Sequence, residues 1–165
     1  MSESTLTLRF AEGTGAVDRI IGLLRRRGFP IAGMTLERTH ADGVGRMTVV
    51  VSGADHIEQV SRHLRRLPDV LEVTNADAGT IQREYALVRV HCVPEQRPDL
   101  EAVIQRYGGR VISTGSNYLA IEASGHRDEL DAMFSELVPY GIEESARTNP
   151  MALHAGAPAP EWQTV

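Results

Sequence analysis

A chain of 165 residues, 42% hydrophobic and 24% charged, has the balance of a folded globular protein and is excluded from the disordered class. Its net charge of −5 argues against a nucleic-acid partner, because that function wants a basic domain as well as basic clusters. The single cysteine, Cys92, excludes an internal disulfide and any multi-cysteine zinc site.

Met1 to Thr5 has no basic flank leading into an apolar run, and no apolar stretch reaches the roughly 18 residues of a membrane span. A cytoplasmic location and no membrane partner are therefore expected. Thr5 to Phe10 is a short β-type run. Val17, Ile20, Ile21 and Leu24 recur at i, i+3, i+4 and i+7, the stripe of an amphipathic helix expected from about Gly15 to Arg27 and stopped by Gly28. Ile31 to Arg38 and Arg46 to Ser52 read as strands joined through His40-Ala41-Asp42-Gly43, whose Asp-Gly step signals a hairpin. Ile57, Val60, Leu64 and Leu67 give a second helical stripe ending at Pro68, and Val70 to Val73 a closing strand. Arg25-Arg26-Arg27 and Arg65-Arg66 fall at helix C-termini, where cations offset the macrodipole.

The same order then repeats. Tyr85 to Val93 is a strand, and Leu100, Val103, Ile104 and Tyr107 form a helical stripe ending at Gly108-Gly109. Arg110 to Thr114 and Tyr118 to Ala123 flank a Gly115-Ser116-Asn117 turn; Leu130, Met133, Phe134 and Leu137 form the fourth stripe, and Ile142 to Ala146 the last strand. The fold class is α+β, two consecutive βαββαβ ferredoxin-like units. The first is expected over residues 1–76, a polar linker over 77–83, the second unit over 84–153, and a disordered tail carrying Trp162 over 154–165. Each unit would cover one sheet face with helices and leave the other open, so pairing with a second copy, a homodimer, is the expected remedy.

Catalytic constellations are absent from this pattern. Glu143-Glu144 and Asp128-Glu129 are adjacent pairs that do not face each other as acid and base, and the latter opens a helix, where negative charge is favoured. The six histidines show no i, i+4 pair and no His-Glu-x-x-His; His56 and His63, seven apart on one helix, are too distant to share a metal. His91 and Cys92 are strand neighbours pointing to opposite faces, so Cys92 reads as a buried structural thiol. No metal site is expected.

Glu12-Gly13-Thr14-Gly15-Ala16-Val17 lies between the first strand and the first helix. A helix N-terminus offers unpaired N–H groups and partial positive charge, and glycines allow close approach, so an amino-acid carboxylate would suit it. A plain tight turn made by two glycines fits the same pattern. A dinucleotide fingerprint fails, because its third glycine position holds Asp18 and the next two strands are joined by a short hairpin.

Gly15-Ala16-Val17-Asp18-Arg19-Ile20, Gly22-Leu23-Leu24, Arg27-Gly28-Phe29-Pro30-Ile31 and Arg46-Met47-Thr48-Val49-Val50-Val51 resemble successive segments of the acetolactate synthase small-subunit family. Leu67-Pro68-Asp69-Val70-Leu71-Glu72-Val73, Arg83 to Val90, Tyr140-Gly141-Ile142-Glu143-Glu144 and Ala146-Arg147-Thr148 are similar to its later segments. The resemblance implies that the first unit is an ACT domain, an amino-acid sensor, and that the chain is a regulatory subunit without cofactor or active site of its own. It implies a large catalytic subunit as partner, carrying thiamine diphosphate, magnesium and FAD and joining two 2-oxo acids on the way to branched-chain amino acids. It further implies a site for valine, or another amino acid, between two ACT domains, built from Glu12 to Val17 of one chain and Pro30-Ile31 of the other. Valine-responsive members carry asparagine where this chain has Glu12 and Pro30, and proline where it has Thr14, so weak valine regulation is expected. A free-standing ACT-type sensor with another client is the alternative.

Overall fold

The computed structural model describes residues 3–39, 42–53, 57–76 and 79–155. His40 and Ala41 of the hairpin turn, His56, the first two positions of the expected linker and residues 156–165 of the expected tail, with Trp162, lie outside them. The first unit runs β1 (Glu3–Ala11), α1 (Ala16–Arg26), β2 (Ile31–Arg38), β3 (Val44–Ser52), α2 (Ile57–Leu64) and β4 (Val70–Asn75), with sheet order β2-β3-β1-β4. The second runs β5 (Thr80–His91), α3 (Arg97–Arg106), β6 (Arg110–Thr114), β7 (Tyr118–Gly125), α4 (Arg127–Leu137) and β8 (Ile142–Arg147), with order β6-β7-β5-β8. All pairings in both orders are antiparallel, and a last strand, β9 (Met151–His154), pairs with β5.

Periodicity explains the two separate cores. In the first, Leu6, Leu8 and Phe10 of β1 and Met47, Val49 and Val51 of β3 share one sheet face, covered by Ile20 and Leu24 of α1 and Val60 and Leu64 of α2. In the second, Val88 and Val90 of β5 and Leu119 and Ile121 of β7 meet Leu100 and Ile104 of α3 and Leu130 and Met133 of α4. Each such buried aliphatic side chain contributes about 1.5 to 3 kcal/mol, so these faces dictate strand register.

Three expectations need correction. Residues 77–83 do not form a continuous linker, because Thr80 to Arg83 are the opening of β5; β9 gives that strand a neighbour, and Ala155 N–H donates to the Gly79 carbonyl at 2.9 Å. Helix α2 ends at Leu64, short of Leu67, because the approach to Pro68 tightens into i to i−3 bonds, Arg66 to His63 and Leu67 to Leu64. The chain also does not pass straight from the second unit into a tail: residues 150–155 return to the first compact unit, 1–82, while 83–149 form the second.

That return changes the reading of the open sheet face. On the first sheet, the face turned away from the helices carries Thr7, Thr48 and Val50, which are only 8%, 1% and 3% exposed. Arg46 on the same face donates to the Ala152 carbonyl of β9 and pairs with Glu37 at 3.6 Å. The Thr7, Thr48 and Val50 side chains are buried within the chain. In the second unit the corresponding face does stay accessible, with Leu87 39% exposed and Arg89 exposed beside it.

Arg147 closes the second unit. Its guanidinium donates to Glu84 and Asp131 at 2.5 Å each and to the Arg127 carbonyl at 3.0 Å, and stands 5.9 Å from the centre of the Phe134 ring. Glu84 is buried, so this pairing keeps a carboxylate from being stranded in the interior.

Gly45 of β3 lies opposite Phe10, and a Cβ there would stand 2.4 Å from the tip of the ring. Gly45→Ala should therefore destabilise the protein by about 1 to 3 kcal/mol through displacement of a core aromatic. Urea denaturation should show a smaller cost of the same change in a Phe10→Leu background; equal costs in both backgrounds would contradict the contact.

Candidate functional site

The turn between β1 and α1 is built by a glycine and held by an ion pair. Gly15 has φ +80°, in the left-handed region, and occupies the cap position without a side chain. Arg19 N–H bonds to the Gly15 carbonyl at 2.9 Å and Ala16 N–H to Gly13 at 3.0 Å, but the N–H groups of Val17 and Asp18 have no acceptor among the described residues. A Cβ at Gly13 would meet nothing within 4 Å, so the loop is open to an approaching ligand.

Arg19 fastens this loop to the strand across the sheet. Its Nε and Nη2 fork onto the two Asp69 oxygens at 2.6 and 2.8 Å, while Nη1 donates to the Thr14 carbonyl at 3.2 Å. Ala11 N–H donates to the Asp69 carbonyl at 2.8 Å and Glu12 N–H to Gly43 at 2.7 Å, which pins the strand end on both sides. Among the described residues the exposed Glu12 carboxylate pairs with Arg38, at 3.8 Å, an exposed pair of the kind worth about 0 to 1 kcal/mol.

Of the residues singled out by sequence, Glu12 to Val17 form one continuous loop, whereas Pro30 and Ile31 stand elsewhere. β3 supplies the ruler: Ala11 at the end of β1 lies opposite Val44, and Ile31 at the start of β2 lies opposite Val51. At about 3.3 Å per residue those ends are roughly 23 Å apart along the sheet. One chain does not bring the two halves together; Pro30 instead uses its carbonyl to accept from Ser52 N–H at 3.0 Å.

The adjacent carboxylates Asp128-Glu129 and Glu143-Glu144 have structural partners instead. Glu129 accepts from His126 N–H at 2.6 Å, closing the start of α4. The register of β5 against β8 shifts beside Arg89, so adjacent Glu143 and Glu144 both reach that guanidinium, at 3.1 and 3.0 Å, a convergence that strict strand alternation would forbid. Cys92 is buried, and burial pushes its thiol up, away from the reactive thiolate. No group of three or more metal-ligating side chains occurs among the described residues, nor is any described helix long and apolar enough to cross a membrane.

Sequence reasoning missed the Arg19–Asp69 clamp, since nothing in either local pattern announces a partner 50 positions away. The hydrogen bond from Arg19 holds the Asp69 carboxyl below its ordinary value, outweighing burial, which pushes it up, and the Arg19 charge adds to the lowering. A lowered folded-state value means that the unfolded chain binds more protons. The clamp's contribution is thus fully present above about pH 4 and is lost as pH falls through the folded value. Asp69→Asn should be less stable than the native chain near neutrality, and the gap in urea midpoint should close on acidification; a gap constant from about pH 7 to pH 2.5 would contradict the assignment.

Both halves of the chain match known proteins. The ACT domain family model matches residues 13–73, and that described as the small subunit of acetolactate synthase matches residues 83–156. The acetolactate synthase small subunit of Bacillus subtilis is 32% identical over 154 residues, covering 92% of this chain and 90% of its own. That of Aquifex aeolicus is 34% identical over 151 residues, covering 90% of this chain and 79% of its own. The crystal structure of the acetolactate synthase small subunit from Thermotoga maritima matches with a TM-score of 0.84 at 26% identity, over 95% of this chain and 99% of that one. With both halves matched in order, by sequence and by fold, the chain belongs to the family of acetolactate synthase small subunits, the regulatory rather than the catalytic subunits of that enzyme.

Proposed function

We propose that this chain docks on a thiamine-diphosphate-dependent acetolactate synthase catalytic subunit and raises its activity, and that paired ACT units form its effector site. The observation that carries the effector half is the loop at Gly13 to Val17, open and with free first-turn N–H groups, set roughly 23 Å from Pro30-Ile31 of the same chain. A second copy is what completes such a site, supplying the start of its β2 to the loop of the first. The thiamine diphosphate, magnesium and FAD belong to the catalytic partner. Titrating this chain into the catalytic subunit from the same source should increase acetolactate formation to a plateau; an unchanged rate with no complex on a sizing column would overturn the reading.

Valine is a poor fit to this version of the site. An ionised Glu12 only accepts hydrogen bonds and repels a carboxylate approaching the loop, and its distant pairing with Arg38 does little to neutralise it. Pro30 has no N–H and no side-chain amide to offer, a loss of about 1.5 to 3 kcal/mol for one bond to a charged group, or roughly tenfold or more in affinity. Calorimetry should give weak or undetectable binding of valine to the native chain and a gain of at least about tenfold in a Glu12→Asn, Pro30→Asn double variant. Tight binding by the native chain, or no gain in the variant, would contradict this assignment.

A further inference from the structure

All 17 cationic side chains of this acidic protein are arginines, and many of them face a carboxylate. Arg19, Arg89, Arg106, Arg110 and Arg147 are each held by one or two acidic side chains. The side chains of Arg62 and Arg66 have no such partner and no hydrogen-bond acceptor among the described residues, although Glu58 stands four positions before Arg62 on α2. Both line, together with Arg65, Glu58, Ser61 and Asn75, an open recess of about 570 Å³ between α2 and the edge strand β4. That volume lies within the range of ordinary small-molecule sites.

The recess is organised rather than incidental. Arg65 Nη2 donates to the Val73 carbonyl at 2.9 Å, which holds its guanidinium against the edge of β4 and leaves other N–H groups of the fork free. Ser61 Oγ donates to Asn75 Oδ1 at 3.0 Å, so the Asn75 amide nitrogen is the end left to donate. His63, on the same helix, is held below its ordinary value by burial first, with the charges of Arg27, Arg66 and Arg62 adding to the lowering. Offsetting the α2 macrodipole explains cations at this helix end. It does not explain three guanidiniums converging on one recess with two neutral hydrogen-bonding side chains.

We propose that this recess binds a phosphate-bearing small molecule through Arg62 and Arg66, with Arg65 and the Asn75 amide nitrogen completing the donor set and Ser61 orienting that amide. A single guanidinium satisfies a carboxylate; three beside one acidic group leave a surplus that matches the charge and the several oxygens of a phosphate or diphosphate. Glu58, in the first turn of α2, repels an anion and sets the ligand toward the Arg66 end. The inference is independent of the regulatory reading above.

The test uses the full chain in phosphate-free buffer, with inorganic pyrophosphate as probe in calorimetry. Saturable binding with one pyrophosphate per chain is expected, weakened at least about tenfold by Arg62→Gln with Arg66→Gln and unchanged by Arg25→Gln with Arg26→Gln, two exposed arginines of α1 that do not line the recess. Thermal melts establish that each variant is folded, and Arg62→Gln alone, expected to weaken binding less, serves if the double variant is not. The proposal is overturned by absence of saturable binding to the native chain, by equal losses in the two double variants, by acetate binding as tightly as pyrophosphate, or by polyglutamate binding where pyrophosphate does not.

Discussion

A βαββαβ unit has two helices and a sheet with two faces, and both crossovers place their helices on the same side. The unoccupied face is the constraint from which the rest of this structure follows. In the first unit the chain resolves it internally: β9 comes back after the second unit has been completed, and Arg46 reaches its backbone at Ala152. Thr7, Thr48 and Val50 are buried on that face, although Thr7 and Thr48 sit at positions where alternation with Leu6, Leu8, Met47 and Val49 reads as polar and outward. What the first sheet still presents are its edges, β2 on one side with Leu36 exposed, and β4 on the other.

The edges give the two proposed sites their places. At the end of β1, Gly15 turns the chain into α1 in a conformation open to glycine, and Arg19 then reaches back to lock the loop onto Asp69 at the head of β4. The loop's free N–H groups are therefore presented on a rigid support, which lowers the ordering cost for a ligand. On the outer side of β4, Arg65 occupies the Val73 carbonyl, blocking one acceptor along the strand edge while contributing to the arginine recess. Edge protection and the proposed anion recognition are compatible uses of this one side chain.

Sequence was a good guide wherever a single period governed the segment. The limits of β2 coincide with the expected Ile31 to Arg38, and the stripe Val17, Ile20, Ile21 and Leu24 is the face α1 turns inward. It was a poor guide where long-range pairing decides the outcome. Thr80 and Gln82 look like linker residues because their place in a strand depends on β9, and Met151 to His154 is too short and too close to an Ala-Gly-Ala-Pro stretch to declare itself. The same division holds for the sites. The glycines at 13 and 15 announced the loop through their spacing, and Arg65-Arg66 was visible as a cluster, but neither the Asp69 partner of Arg19 nor the approach of Asn75 to Ser61 has a local signature.

The distance between the loop and Pro30-Ile31 also bears on how an effector could act. A ligand shifts an equilibrium only by its difference in affinity between the two states. Were both halves of the site on one chain, binding would be indifferent to association and could not by itself report on assembly. With the halves at opposite ends of β3, a ligand held by the loop of one copy and the β2 start of another binds the paired state in preference to the separate chains. Its binding free energy then adds to that of pairing, by the same linkage that makes any ligand of an oligomer a stabiliser of it. Replacing groups that complete such a site, as Glu12 and Pro30 do here in the reading proposed above, weakens the effector and the coupling together while leaving the chain's own cores untouched, because neither residue belongs to them.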